Sequence, residues 1–318
     1  MNILEAIIQG IVQGLTEFLP ISSSGHLAIT QHILGVTENN LFFSVMLHVG
    51  TLLSVCVVYH KLILKLIKAF FVMIKNIITG NFKWSELDKD TNMVIMLIIG
   101  LSPLFVLFLP VPFVQNMPIK DLAQVWSGNT GYFVIVGISL LFTSTLLSVG
   151  IVMNKITTKK YRKKGINNRR GAGRIRYNII DALSVGIAQL FAAILPGLSR
   201  SGSTLATAQL RGINKQMALD YAFVLGIPAI IAAALLETKD AIQTNAIKDI
   251  DPITVIVGVV VSAIVGLFAI KLFKLMLKKD KMIIFVIYTA VVGIAVIIIG
   301  IIEIKSGINL FTNAPLTF

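Results

Sequence analysis

Two stretches of the sequence decide the fold: GIVQGLTEFLPISSSGHL at residues 10–27 and GIAQLFAAILPGLSRSGSTL at residues 186–205. Each begins as an apolar helix and is broken midway by Pro, Gly and Ser, so neither has the pattern of an uninterrupted membrane span. With one residue inserted in the second stretch, Gly10, Ile11, Gln13, Leu19, Pro20, Ser22, Ser24 and Gly25 match Gly186, Ile187, Gln189, Leu195, Pro196, Ser199, Ser201 and Gly202. We interpret the two stretches as the tips of related helical hairpins.

The composition is that of an integral membrane protein. Of the 318 residues, 56% are hydrophobic and 14% are charged, and the mean hydropathy is +0.86. In soluble domains about a quarter of the residues are charged. The single cysteine, Cys56, excludes an internal disulfide framework. The first residues have no basic segment of the kind that begins a cleaved signal peptide, so we expect insertion through the internal apolar segments.

Six stretches are long and apolar enough to cross a bilayer, which takes about 20 helical residues. They are residues 41–59, 92–114, 131–153, 217–236, 252–274 and 282–304. Pro103 and Pro110 predict kinks in the second stretch. The connector 61–91 begins with lysines that interrupt an apolar pattern, which predicts a separate helix lying in the membrane interface.

Lysine and arginine are concentrated in alternate connectors, and this predicts the orientation. The connectors 61–91, 155–176 and 271–281 contain six, ten and five of them, whereas the other connectors and both ends of the chain contain few. With six spans the basic connectors share one face, which the positive-inside rule assigns to the cytoplasm. Both termini then lie outside. The net charge of +13 therefore indicates topology rather than nucleic-acid binding.

Each hairpin is followed by three spans, so the second unit must be inverted relative to the first. We predict an all-α polytopic membrane protein with six transmembrane helices and two re-entrant helical hairpins in an inverted-topology repeat. The first repeat is 1–154 with its hairpin at 3–36, a basic cytoplasmic loop covers 155–177, and the second repeat is 178–318 with its hairpin at 178–213. The hairpins enter from opposite faces, so their tips should meet near the midplane and line a polar pocket.

The first tip combines a carboxylate with hydroxyl groups and a histidine. Gln13 and Glu17 are four residues apart and share a helical face. A carboxylate in an apolar helix is costly and indicates a function, although Glu17 could simply pair with Arg200 to hold the hairpins together. The second tip places Arg200 among small residues that begin a helix. Backbone N–H groups and a guanidinium in such a setting are typical of a phosphate site.

Together these groups suit phosphoryl transfer or hydrolysis. A carboxylate commonly holds a divalent cation that binds diphosphate oxygens, and a hydroxyl activated by a neighbouring base can attack phosphorus. We favour Ser23 as the nucleophile with His26 as its base, and leave the reverse assignment open. His32, His48 and His60 are interpreted as packing or interface residues, with His48 pointing into the bundle.

The motifs QGLTEFLPISSSGH and PGLSRSGST resemble the two signature motifs of the undecaprenyl-diphosphate phosphatase family, also known as bacitracin-resistance proteins. FFSVMLHVGT and YAFVLGIPAI resemble further family segments, and the similarity covers essentially the whole chain. The resemblance implies an enzyme of the bacterial plasma membrane that hydrolyses undecaprenyl diphosphate to undecaprenyl phosphate and inorganic phosphate at the outer face. The reaction recycles the lipid carrier for cell-wall synthesis, confers bacitracin resistance and uses a divalent cation, Mg²⁺ or Ca²⁺.

The resemblance also assigns the site. Its catalytic residues fall on Glu17, Ser23, His26 and Arg200, with Glu17 also the expected metal ligand. The expected substrate-binding residues, including the loop amides at 199 and 201–204, are Gln13, Ser22, Ser24, Gly197, Ser199, Ser201, Gly202, Ser203 and Thr204. The chain departs from the family pattern at Gln13, which replaces an acid found in many members, and at Ser44 and Leu198. The loss of the acid at Gln13 puts the metal preference in doubt.

A second class of function fits the same architecture. Inverted repeats with broken helices at the midplane are typical of secondary transporters, so a flippase of a lipid phosphate, or a carrier of a small anion, is the alternative. A transported phosphate needs no nucleophile, whereas the first tip places serines beside a histidine. The sequence does not determine the oligomeric state, and a homodimer is the assembly that we consider.

Overall fold

A computed structural model of the protein describes residues 2–35, 41–110, 117–119, 121, 133–163, 172–243 and 251–316. The described residues are predominantly helical, with short 3₁₀ segments at Trp84–Glu86 and Ser102–Phe108. Within the described ranges, ten α-helices are named here: α1 (Ile3–Thr16), α2 (Ser23–Leu34), α3 (Leu41–Ile78), α4 (Lys89–Leu101), α5 (Phe133–Lys163), α6 (Ile179–Ile194), α7 (Arg200–Leu210), α8 (Lys215–Gln243), α9 (Pro252–Lys278) and α10 (Ile283–Ser306).

The predicted all-α membrane class is confirmed. Six helical segments in the described ranges are long and apolar enough to cross a membrane, namely Phe42–Ile78, Lys89–Phe108, Phe133–Lys163, Lys215–Gln243, Pro252–Lys278 and Ile283–Ser306. Their outward faces are apolar. On α9, for example, Ile256, Val260, Ile264 and Phe268 recur every four residues and are each about half exposed or more, which is the surface that lipid covers. α1 and α6 are apolar but shorter.

The prediction of a separate interfacial helix at 61–91 is wrong in its first half. α3 continues unbroken from Leu41 to Ile78, a length of about 57 Å at 1.5 Å per residue. Leu66, Ala69 and Met73 on this extension are buried in the main hydrophobic core. The lysines fall between these buried positions on the exposed side of the same helix, so they interrupt the hydrophobic pattern without interrupting the helix.

Two other span boundaries differ from the prediction. α4 ends at Leu101, and the chain continues as 3₁₀ helix from Ser102 to Phe108 with Pro103 in its first turn. The prolines thus change the helix type rather than only bend it, because Pro103 cannot donate to an α-helical hydrogen bond. The predicted basic loop 155–177 begins later than expected, since α5 runs on to Lys163. The predicted span ends at 114 and 131, and the hairpin end at 36, lie outside the described residues.

The two short apolar helices start in the same way. Asn2 caps α1 and Asn178 caps α6, each in a reciprocal capping box with the acid three residues on. In the second box that acid is Asp181, which also accepts hydrogen bonds from Arg174 and Arg211. Burial raises the pKa of Asp181, but hydrogen bonds from Arg174, the Asn178 backbone and Arg211 outweigh it and hold the pKa below its ordinary value.

Each short helix lies against a long one at an aligned glycine. A Cβ on Gly10 of α1 would lie 2.9 Å from the carbonyl oxygen of Gly258 in α9. A Cβ on Gly186 of α6 would clash with the carbonyl oxygen of Gly100 in α4. Any larger residue would push these helix pairs apart. The glycines that the sequence repeat aligns therefore make equivalent backbone contacts.

The ends of the bundle differ in charge. At one end, Lys155 and Arg162 of α5 share a cavity with Lys215 and Asp280, and Lys274 lies 3.8 Å from the centre of the Tyr59 ring. Residues of the connectors 155–176 and 271–281, together with Tyr59 just before the connector 61–91, thus lie at one end, called here the basic end.

The opposite end is held together by a buried contact between a histidine and a glutamate. His32 at the end of α2 contacts Glu303 at the end of α10, with Nε2 and Oε1 2.8 Å apart. The His32 ring also stacks on Phe133 at the start of α5, with centroids 4.2 Å apart. The end of α2, the start of α5 and the end of α10 therefore meet at this end of the bundle.

Candidate active site

The two broken segments meet tip to tip, as the sequence predicted. Ser24 Oγ accepts a hydrogen bond from the backbone N–H of Gly197 at 3.4 Å, and Ser201 Oγ donates to the carbonyl of Leu19 at 3.3 Å. The backbones approach so closely that a Cβ on Gly25 would lie 3.1 Å from Cα of Gly197. The contacts join residues more than 170 positions apart in the chain. They place the first turn of α2 against the loop before α7, and the first turn of α7 against the loop before α2.

Glu17 lies at the centre of this junction. It follows α1 directly, is almost fully buried, and has a partner on each carboxylate oxygen. Oε2 accepts from Ser23 Oγ at 2.6 Å and from Gln13 Nε2 at 2.9 Å, while Oε1 pairs with Nη2 of Arg200. The structure therefore brings together four of the predicted site residues. This geometry serves both proposed roles of Glu17: the contact with Ser23 suits chemistry, and the contact with Arg200 holds the hairpins together.

His48 is the site residue that the sequence reasoning missed. Its Nδ1 lies 2.8 Å from the carbonyl oxygen of Ser44 one turn earlier, and its Nε2 lies 3.4 Å from Oε2 of Glu17. Since a carbonyl oxygen only accepts, Nδ1 is the donor in that bond, and Nε2 is the ring nitrogen that faces Glu17. The available signal was an ionisable residue in the interior of an apolar span, which indicates a functional site by default.

The Arg200 guanidinium lies against α8 at a glycine. A Cβ on Gly226 would lie 3.0 Å from Nη1 and 3.2 Å from Cζ of Arg200. Glycine at this position leaves room for the guanidinium to reach Glu17 across the hairpin interface. The family segment YAFVLGIPAI, in which Gly226 lies, thus contributes the wall behind the arginine.

Gly226→Ala is expected to lower activity without lowering stability. The methyl group displaces the guanidinium, while alanine favours a helix interior over glycine by about 1 kcal/mol. We expect the thermal midpoint of the purified variant to equal or exceed that of the wild type. Phosphate release from undecaprenyl diphosphate, the reaction that the family resemblance implies, should fall about tenfold or more, as when a positioned charge is misplaced. Unchanged phosphate release would show that the Arg200 position against α8 is not important.

His26 is not the partner of Ser23, which corrects that part of the prediction. Its Nδ1 lies 2.7 Å from the carbonyl oxygen of Ser22, and its Nε2 lies 2.8 Å from the hydroxyl of Tyr288 on α10. The Ser23 hydroxyl points instead to Glu17. Three residues along a helix bring Ser23 and His26 near each other, but the ring reaches out to α10. Tyr288 is a second residue that the sequence gave no reason to select.

Ser22 shapes the turn between the arms of the first hairpin. Its φ of +75° lies in a region that residues other than glycine rarely adopt. Its hydroxyl caps α2 by accepting from the N–H of Gly25 at 3.1 Å and lies 3.3 Å from Ser24 Oγ. Backbone conformations of this kind cluster at functional sites because the surrounding structure must hold them in place.

Several amides of the second tip, which the sequence predicted to bind an anion, are used within the protein. The N–H of Ser199 donates to Thr143 Oγ1 at 3.0 Å, that of Gly202 to Ser199 Oγ at 3.0 Å, and that of Ser203 to the carbonyl of Ser199 at 2.9 Å. The Thr204 hydroxyl donates to the carbonyl of Arg200 at 2.8 Å. These groups cap α7 and hold the loop in shape. The Arg200 guanidinium takes no part in these capping bonds and pairs with Glu17 instead.

The residues present fit a divalent cation. No cluster of three or more His, Cys, Asp or Glu side chains occurs in the described ranges, so a protein-only cage is absent there. Gln13, however, is fully buried, and its Oε1 has no hydrogen-bond partner among the described residues. Only its amide nitrogen can donate to Glu17, so this oxygen is fixed as an acceptor. A carboxylate and a free amide oxygen are ligands that Mg²⁺ and Ca²⁺ accept alongside phosphate oxygens and water.

Comparison with known proteins identifies the family. The sequence model described as bacitracin resistance protein BacA matches residues 6–295, a range that includes both tips and His48. The chain belongs to this family.

Curated relatives in the family are similar over almost their full length. Undecaprenyl-diphosphatase of Alkaliphilus metalliredigens (strain QYMF) is 40% identical, covering 95% of this chain and all of the relative. The proteins of the same name from Bacteroides fragilis (strain YCH46) and Methanosphaera stadtmanae are 36% and 34% identical, each covering at least 94% of this chain and 99% of the relative. The resemblance of the signature motifs to this family is thereby confirmed.

Proposed function

We propose that this protein hydrolyses undecaprenyl diphosphate to undecaprenyl phosphate and inorganic phosphate in the bacterial plasma membrane. The names of the curated relatives support the substrate. The observation that carries the proposal is the continuous contact from the Ser23 hydroxyl through the Glu17 carboxylate to the Arg200 guanidinium. A nucleophile, a base and a phosphate-binding cation lie in one buried junction, which is the set that hydrolysis of a phosphoric anhydride needs.

The proposed reaction begins when the terminal phosphate of the lipid diphosphate binds the Arg200 guanidinium in place of Glu17. A planar guanidinium can donate two parallel hydrogen bonds to phosphate oxygens. Oε1 of Glu17 then loses its cation, and the carboxylate becomes free to take a proton. Gln13 and His48 hold the carboxylate in position from the side of Oε2.

Glu17 next acts as the general base for Ser23. The hydroxyl is already 2.6 Å from the carboxylate, within reach for proton transfer. As the proton moves to Glu17, Ser23 Oγ attacks the terminal phosphorus, and undecaprenyl phosphate leaves with the bridging oxygen. Water then hydrolyses the phosphoserine to inorganic phosphate and restores the hydroxyl. His26 remains the alternative nucleophile, although its two ring nitrogens face Ser22 and Tyr288.

Glu17 and Gln13 are the residues that we propose would hold a Mg²⁺ or Ca²⁺ ion. The ion would supply positive charge to the diphosphate oxygens and so stabilise the departing phosphate. Because Gln13 stands where many family members have an acid, the charge contributed by the protein is smaller here. Gln13→Glu is therefore expected to lower the concentration of Mg²⁺ or Ca²⁺ that gives half-maximal activity, as measured by titrating metal into chelator-treated enzyme.

We also propose the finer architecture: two re-entrant hairpins in an inverted-topology repeat. Three features support it. The tips touch, as hairpins entering from opposite faces would. The free end of the first hairpin contacts Glu303 at the end of α10, whereas the second hairpin ends near the basic end where α10 begins. The aligned Gly10 and Gly186 make equivalent contacts with α9 and α4. The proposed repeats are 1–154 and 178–318, each with its own hairpin.

The basic end is proposed to face the cytoplasm, so that both termini and the active site face outside. A small tag at the C-terminus should accordingly react with a membrane-impermeant reagent in intact cells. A tag in the 164–171 connector should react only after the membrane is opened. Labelling of the C-terminal tag only in opened cells would overturn the orientation and the outward-facing site with it.

The activity itself is tested with purified protein in detergent by measuring phosphate release from undecaprenyl diphosphate, with and without a chelator. We expect Glu17→Gln to lower the rate about a thousandfold, since it removes the base but keeps the shape. Glu86→Gln is the matched control, because Glu86 is an exposed partner of Lys83, and should retain the wild-type rate. Wild-type turnover by Glu17→Gln would refute the site, and no release by the wild-type protein in any divalent metal would refute the function.

The transporter alternative is less well supported. A carrier of phosphate or of a lipid phosphate needs a binding cation and an opening, and Arg200 would provide the first. A carrier does not need a serine hydroxyl that lies 2.6 Å from a buried carboxylate. Hydrolysis accounts for that contact, so we favour the phosphatase.

A further inference from the structure

A separate cavity of about 450 Å³ lies at the basic end of the bundle, among the ends of α5, α7 and α9 and the start of α8. It is distinct from the junction at Glu17. Gln209 in its wall is nine residues beyond Arg200 on α7, which corresponds to about 13 Å along a helix. Its volume falls within the range of about 300–1,000 Å³ that is usual for ligand sites.

The cavity wall is strongly basic. Lys155, Lys159 and Arg162 line it from successive turns of one face of α5. Lys215 lines the other side, where its Nζ lies 2.6 Å from Asp280. Four cations face one carboxylate, so the cavity has an excess of three positive charges. Lys155, Lys159 and Arg162 are exposed to solvent, so water and salt screen their mutual repulsion, and their shared positive potential attracts anions to the cavity.

A buried amide supplies a second and independent sign of a ligand. Gln209 is only 5% exposed and lines the cavity. No side-chain hydrogen bond of Gln209 occurs within the ranges that the structure describes, although buried amides normally have partners. Its Oε1 faces α5, where a Cβ on Gly150 would lie 3.1 Å away. Gln209 therefore places a side-chain amide without a hydrogen bond to any described residue at the wall of the cavity.

The inner part of the wall is apolar, formed by Ile151, Leu277 and Met282. Thr158 adds a hydroxyl among the cations. From the clustered cations, the free amide and the cavity shape we propose that this site binds a phosphate-bearing anion at the basic end of the protein. The phosphate could belong to the headgroup of an anionic lipid, since basic pockets between membrane helices bind such headgroups, or to a soluble phosphate.

The proposal is tested on the purified full chain in detergent with two probes. A short-chain phosphatidic acid is titrated and counted by native mass spectrometry, and inorganic phosphate is titrated by calorimetry. The cavity variant is Lys155→Gln with Lys159→Gln. The matched control is Lys160→Gln with Lys163→Gln, two residues on the same helix that do not line the cavity. Thermal unfolding of both variants verifies that they fold.

At least one probe should bind the wild type, and the cavity variant should bind it about tenfold or more weakly, because each cation near a membrane surface contributes about 1 kcal/mol to anion binding. The control should bind as the wild type does. A probe that the cavity variant binds more weakly than the wild type is the ligand of the cavity. Weakened binding of phosphatidic acid alone identifies a lipid headgroup, and weakened binding of inorganic phosphate identifies a soluble source, whereas binding that is equal in both proteins belongs to the Arg200 site. Equal weakening in both variants, unchanged binding in the cavity variant, or no binding of either probe would overturn the proposal.

Discussion

Arg200→Lys is expected to lower phosphate release from undecaprenyl diphosphate at least a hundredfold while the protein stays folded. Lysine keeps the positive charge, so Glu17 still has a cation within the buried junction. It cannot donate two parallel hydrogen bonds to phosphate, and its compact ammonium does not fill the space against Gly226 that the guanidinium occupies. Loss of one positioned donor to a reacting phosphate typically costs about 10²–10³ in rate.

The measurement is the initial rate of phosphate release from purified protein at saturating substrate, with the thermal midpoint as a check on folding. Arg211→Lys provides the control, because Arg211 ends the same helix and also donates to a buried carboxylate, that of Asp181. It should retain the wild-type rate within a factor of about three, as expected for a site away from the chemistry. Full activity of Arg200→Lys would mean that charge alone is needed and that the bidentate contact is not used.

Ser23→Ala is expected to abolish turnover, with a loss of about a thousandfold or more, as for other nucleophiles acting with a paired base. The hydroxyl is the group that Glu17 is placed to deprotonate. Ser184→Ala is the matched control. The Ser184 hydroxyl donates to the carbonyl of Ile180 one turn earlier in α6 and lies outside the hairpin tips. We expect that variant to lose no more than a few-fold in rate, about the effect of one weak hydrogen bond.

A chemical trap separates the two nucleophiles. Substrate labelled in its terminal phosphate is mixed with enzyme and stopped in acid, which preserves phosphoserine but not phosphohistidine. Label should remain on the wild-type protein and disappear in Ser23→Ala. If label survives in Ser23→Ala under alkaline quench and disappears in a His26→Gln variant, His26 is the nucleophile and Ser23 only positions Glu17.

Much of the fold could be predicted from the sequence, because membrane spans follow from the length and apolarity of each segment. Hydropathy does not show where one helix stops and the next begins when no residue breaks the helix. That is why α3 runs through Tyr59 and His60 to Ile78, although the lysines after His60 suggested a separate helix. At Pro103 the sequence does show an interruption. There the α-helix ends and a 3₁₀ segment follows it, whereas the sequence predicted only a kink.

The site was predictable only in part. Glu17 and Arg200 could be selected because charge in an apolar helix is unusual. The partner of a hydroxyl depends on where the side chains lie in three dimensions. The sequence therefore could not show that Ser23 donates to Glu17 and does not contact His26. Tyr288 has nothing to distinguish it from other tyrosines in a membrane helix. The loop amides of the second tip fit an anion site by sequence, yet Thr143 and the cap of α7 use several of them.

The pairing of Glu17 with Arg200 has a consequence for how the protein is made. The two residues are 183 positions apart, so at the usual 5–20 residues per second the ribosome completes Arg200 roughly 10–40 s after Glu17. During that interval the carboxylate must be accommodated without its cation. Gln13, Ser23 and His48 contact it from the same half of the chain and are the partners available to it then. The first half of the nascent chain thus contains hydrogen-bonding partners for the Glu17 carboxylate, and the site is complete once Arg200 has been synthesised.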